Sequence, residues 1–84
     1  MAKLILVDGT TTTQQPATPP VWTLEELQGF VDGYIEEIRG LGGAVGFCNE
    51  EGGLRKMPLN KTASNIFGFP LVGPVLILGD GEEA

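Results

Sequence analysis

The sequence predicts an α+β domain: a small, mostly antiparallel sheet of four to five strands with one main helix and one short helix. Three observations predict it. A capped apolar stripe marks one helix over Leu24–Asp32. Short apolar or β-branched runs closed by glycine-containing turns lie on both sides of that stripe. A second cap, Asn60, opens one or two helical turns before a final apolar run. Such an order builds a sheet with a helix packed on one face.

The elements follow in sequence. Lys3–Asp8 is rich in Leu, Ile and Val and stops at Asp8-Gly9, a buried strand and its turn. Thr10–Gln14 is polar and β-branched, suited to an edge strand that pairs back on the first. Pro16-Ala17-Thr18-Pro19-Pro20 is an extended connector, because proline fixes its own φ and restricts the residue before it. Thr23-Leu24-Glu25-Glu26 is a capping box, with Trp22 placed to staple against Leu27. Leu24, Leu27 and Val31 then form one apolar stripe, and Gly33 ends the helix.

Tyr34–Leu41 is a strand with neither face cleanly apolar, hence partly exposed. Gly42-Gly43 turns the chain into the strand Ala44–Cys48, and Glu51-Gly52-Gly53 turns it again. After Asn60, a good N-cap, Ala63, Ile66 and Phe67 are expected to face inward until Gly68 and Pro70 end the helix. Val72–Leu78 is the last strand, in which Pro74 marks an edge or a bulge. Asp80–Ala84 is expected to be a frayed acidic tail.

With 84 residues the chain makes one domain, 1–84, with an adequate but thin core. Eleven Asp and Glu against five Lys and Arg give a net charge of −6, with no His. That balance argues against nucleic-acid binding, which needs a basic face to displace counterions, and it suits a basic partner surface. One Cys excludes an internal disulfide, and without His a Cys–His nucleophile pair is excluded as well. No apolar run is long enough to cross a bilayer and the first residues lack a signal-peptide pattern, so the expected setting is cytoplasmic, with no membrane partner.

No catalytic or metal-binding pattern survives inspection, and no cofactor is expected. The carboxylate pairs Glu25/Glu26, Glu36/Glu37, Glu50/Glu51 and Glu82/Glu83 read as solvated surface. Neighbours on a strand point to opposite faces and cannot share a substrate. Gly40-Leu41-Gly42-Gly43 lacks the Lys-Ser/Thr and the helix start of a phosphate loop. One cluster stands out: Asn49, Arg55, Lys56, Asn60, Lys61, Thr62 and Asn65 gather three of the five basic residues beside a helix start. Asn49, Arg55, Asn60, Lys61, Thr62 and Asn65 are therefore the candidate ligand-binding residues. The competing reading makes Asn49 a turn residue, Asn60 a cap and the lysines solvated.

Tyr34-Ile35-Glu36, Asn49-Glu50-Glu51-Gly52, Leu59-Asn60-Lys61-Thr62-Ala63 and Val72-Gly73-Pro74-Val75-Leu76-Ile77, in that order, resemble a family of small phage and mobile-element proteins of unknown function. The resemblance spans residues 22–79. Thr10–Pro20 is longer and richer in proline than that pattern. Some small phage proteins of comparable architecture sequester nucleotide-derived signals of bacterial immunity. The resemblance thus implies a non-enzymatic sponge for a cyclic or ADP-ribose-like signal. The alternative is an acidic interaction module, or nucleic-acid mimic, that inhibits a host protein. A homo-oligomer, most simply a dimer, is expected to cover exposed Trp22 or Phe69.

Overall fold

A computed structural model describes all residues from Met1 to Ala84. The strands are β1 (Ala2–Ile5), β2 (Thr11–Gln14), β3 (Ile35–Arg39), β4 (Val45–Asn49) and β5 (Val75–Ile77). Helix α1 (Leu24–Val31) lies between β2 and β3, and α2 (Lys61–Phe67) between β4 and β5. All five strands join one antiparallel sheet in the order β2-β1-β5-β4-β3. The fold class is the α+β arrangement expected, with the elements in the expected order.

The layering is richer than expected. Side chains alternate across each strand, so one face of the sheet carries Ile5, Ile38, Cys48 and Val75, and the other carries Ala2, Phe47 and Leu76. The first set packs with Ala63, Phe67 and Leu71 from α2 and the loop after it. The second packs with Trp22 and Leu27 from α1 and its approach. The sheet is therefore covered on both faces, not one. Consecutive buried or half-buried residues Val75, Leu76, Ile77 and Leu78, in the central strand and directly after it, are the signature of that double cover.

A seven-residue helix can cover its face because two glycines let it come close. A Cβ at Gly46 would lie 2.8 Å from Phe67 Cζ and 2.5 Å from the Leu76 carbonyl oxygen. A Cβ at Gly40 would lie 2.7 Å from Phe67 Cα. The missing side chains form a socket for the Phe67 ring.

At the start of α1 the capping box forms as read. The Glu26 amide donates to Thr23 Oγ1 at 3.2 Å, and the Thr23 amide donates to Glu26 Oε1 at 2.8 Å. The second oxygen of Glu26 accepts from the Ala17 amide at 2.9 Å, which pins the proline-rich connector to the helix. These bonds, from Thr23 first and Ala17 second, hold the Glu26 carboxyl below its ordinary range despite slight desolvation.

Several local expectations are corrected. The left-handed residue that ends α1 is Asp32 (φ 59°), one position before Gly33. Trp22 is buried in its own chain beside Phe30, not exposed, because α1 folds its staple onto the sheet. Ile66 is partly exposed, since only Ala63 and Phe67 fall on the sheet side of so short a helix. Pro74 marks neither an edge nor a bulge: it directly precedes the central strand β5.

Nor is the acidic tail frayed. The Trp22 amide donates to the Glu83 carbonyl at 2.7 Å, and the Glu83 amide donates to the Pro20 carbonyl at 2.9 Å. The Glu82 side chain is only 5 % exposed, and its carboxylate meets the Met1 ammonium at 3.1 Å and the Gly79 amide at 2.7 Å. The buried Trp22 indole N–H lies beside this carboxylate without reaching hydrogen-bond geometry. Desolvation alone would raise the Glu82 pKa, but the Gly79 amide, the Met1 ammonium and the indole outweigh it and hold the carboxyl below its usual value.

Candidate functional site

The six candidate residues fall into two groups that the fold keeps apart. Asn49 ends β4 on the α1 face, and it is buried. Its Nδ2 donates to the carbonyls of Val31 at 2.9 Å and Asp32 at 3.2 Å, while Oδ1 accepts from the Glu51 amide at 2.7 Å. Arg55 reaches the same helix end: Nη1 donates to the Asp32 carbonyl at 2.6 Å and Nη2 to Asp32 Oδ2 at 3.1 Å. Gly33 makes room for both, since a Cβ there would lie 2.8 Å from Asn49 Nδ2 and 3.2 Å from Arg55 Nη1. Its φ of +153° also disfavours any side chain. Asn49 and Arg55 thus occupy the unsatisfied carbonyls at the end of α1.

Asn60 belongs to the α2 layer and is 1 % exposed. Its Nδ2 donates to the carbonyls of Ile5 at 3.0 Å and Gly73 at 2.9 Å, and its Oδ1 accepts from the Ala63 amide at 3.1 Å. One side chain caps the helix and ties it to β1 and to the approach to β5. Both N–H donors of each asparagine are spent inside the fold, and each Oδ1 already accepts one backbone amide. Of the rest, Lys61 and Asn65 are exposed and Thr62 is half-buried. None of the six lines a concavity.

The main concavity is elsewhere. A shallow groove of about 530 Å³ runs between the end of β3, the turn Gly42–Val45 and the tail Leu78–Ala84. Strand parity places Glu37, Arg39, Val45 and Leu78 on the α1 face of the sheet. Arg39 Nε meets Glu37 Oε2 at 3.1 Å. Asp80 and Glu83 extend the acidic lining, and both are exposed. In the sequence Glu37 and Glu83 stand in separate carboxylate pairs; the return of the tail brings them to one groove.

A smaller groove of about 420 Å³ lies under Met1, Lys3, Ile66 and Ile77. Cys48 is buried, and desolvation, with a smaller push from Glu36, raises its thiol to about 11. It is protonated at neutral pH and unsuited to nucleophilic work. No helix is long and apolar enough to cross a membrane.

Fold and site together define a small α/β/α-layered domain whose two buried asparagines are spent on its own backbone and whose larger groove is acidic. The chain belongs to the DUF3846 family, a domain of unknown function, whose model matches residues 2–84. That span includes Thr10–Pro20, so the proline-rich connector lies inside the matched region. Neither the curated proteins nor the solved structures contain a match to this chain.

Proposed function

We propose that this chain is a non-enzymatic interaction module that presents its acidic groove to a basic partner. The groove's charged lining carries this reading: exposed Asp80 and Glu83 hold no ion pair, and the one cation of the lining, Arg39, is already paired with Glu37. A sponge for a nucleotide-derived anion needs the opposite, a concave site of free amides and cations. Asn49 and Asn60 have no such groups to give, and Arg55 is engaged at the end of α1. A phage-type setting adds a host protein as the basic partner, with the acidic surface imitating nucleic acid.

Calorimetric titration with an arginine-rich peptide tests the proposal. Binding is expected at low ionic strength, weakening as salt screens the exposed charges. The combined change Glu37→Gln, Asp80→Asn and Glu83→Gln should abolish it without loss of fold. A nucleotide panel screened by thermal shift provides the opposing arm. A nucleotide that raises the melting temperature equally in wild type and in the triple variant would replace this reading with small-ligand capture. Exposed Lys61 and Asn65 and half-buried Thr62 would then be the first contacts to examine.

A further inference from the structure

The sheet has two open edges of different composition. The β3 edge carries Glu36, Glu37 and Arg39. The β2 edge consists of Thr11, Thr12, Thr13 and Gln14, and from Thr10 to Gln15 there is no charged residue. Open edges are normally guarded against pairing by charges, proline or bulges. β2 pairs with β1 without interruption and holds no charge, proline or bulge; its one guard is its length of four residues.

The register shows which groups are free. The Leu6 amide donates to the Thr10 carbonyl at 2.9 Å, and Leu4 and Ala2 stand opposite Thr12 and Gln14. Alternation along an antiparallel ladder then turns the amides and carbonyls of Thr12 and Gln14 toward β1, and those of Thr11 and Thr13 outward.

We propose that the β2 edge pairs with the same edge of a second copy, across a two-fold axis at Thr12. In that register Thr11 of each copy faces Thr13 of the other, and both outward pairs exchange their backbone hydrogen bonds. Thr12 faces Thr12 of the second copy at the centre, Gln14 faces Thr10, and Gln15 faces Gly9. Threonine pairs across strands are favourable, and no charge meets its like anywhere in this stretch. The last point selects the occupant. A chain of net charge −6 repels itself over most of its surface, and this uncharged edge is where a second copy can approach. Two four-residue strands bury less than the roughly 1,200 Å² of a stable specific interface, so the association is weak and concentration-dependent. This inference is independent of the acidic groove.

Light scattering over about 10 µM to about 1 mM reads the association, a range that brackets weak affinities. The mass is expected to rise toward that of two chains. Thr13→Pro deletes an outward amide while leaving the β1 ladder its donors, so it should hold the mass at one chain with the melting temperature nearly kept. Thr12→Cys should cross-link readily on mild oxidation, because its partner stands directly opposite at the close spacing, whereas the buried native Cys48 stays inert. Arg39→Cys, on the other edge, should not. A one-chain mass at the highest concentration, or cross-linking through Arg39→Cys but not Thr12→Cys, would overturn the proposal.

Discussion

The two faces of the sheet are fastened by different chemistry. On the α1 face the helix starts on a carboxylate, Glu26, which also holds Ala17, and the tail beside it is fastened through Glu82. On the α2 face neutral groups do the fastening: the Asn60 amide reaches β1 and the approach to β5, and Ser64 Oγ accepts from the Leu71 amide at 2.8 Å. A carboxylate anchor titrates and can sit near the surface. An amide anchor does not titrate, and because it supplies two donors and an acceptor it can be fully buried at no charge cost. The α2 layer is therefore secured by neutral groups, with the buried Asn60 the only one of them that reaches β1.

The strongest way to break this comparison is Asn60→Ala. It removes a helix cap and leaves the Ile5 and Gly73 carbonyls buried without their donor. The expected cost is about 3 kcal/mol or more, a large share of the stability of so small a domain, and a melting temperature lower by about 15 °C. Calorimetry should show this with any groove-bound peptide still binding to the folded fraction. An asparagine that served a ligand and not the fold would leave the melting temperature in place.

Asn49→Ala comes next, at about 2 kcal/mol, because it strips donors from the end of α1 but Arg55 still reaches Asp32. Chemical denaturation should rank the two variants in that order. Equal losses would mean that Asn60 is no more than another cap.

Acid separates the faces without mutation. Glu26 and Glu82 both have carboxyls held below their ordinary value of 4.5. Groups with depressed folded pKa values contribute stability that is present above the unfolded value and lost as pH falls through the folded one. Stability should thus decline below about pH 4.5, with amide exchange rising first in α1 and the tail while α2 stays protected. Simultaneous loss on both faces would refute the division. Glu82→Gln should flatten this acid limb. The sequence alone made Glu82 a silent tail residue; its burial makes it the reverse.

The smallest effect belongs to Arg55→Ala. The ion pair with Asp32 is exposed, so the loss should stay under about 1 kcal/mol. A larger loss would promote Arg55 to a principal anchor of α1.

Much of the fold was legible because its signals are local. The Thr23 cap, the Asn60 cap and each turn that separates the strands are specified within a few residues. The second covered face was harder to read: α2 offers only Ala63 and Phe67, and the clue was the unbroken apolar run at Val75–Leu78. The site was least legible. Asn49 and Asn60 look like free polar residues near a helix start until their partners appear, and those partners, Val31 and Ile5, are 18 and 55 positions away. Likewise nothing near Glu82 announces that the tail returns to Trp22. Long-range closure decides which polar groups remain for a ligand, and composition carries no record of it.

The socket that Gly40 and Gly46 make for Phe67 sets a rule for how this sequence can change. One ring measures the gap between α2 and the sheet, and two absent side chains on β4 and the end of β3 define its size. The three positions therefore form one unit of variation. A side chain gained at 40 or 46 requires a smaller residue at 67 or a helix lifted from the sheet, and a lifted helix would pull Asn60 away from the Ile5 carbonyl. Substitutions across this trio should be strongly non-additive, so a relative that differs at one of them is expected to differ at another.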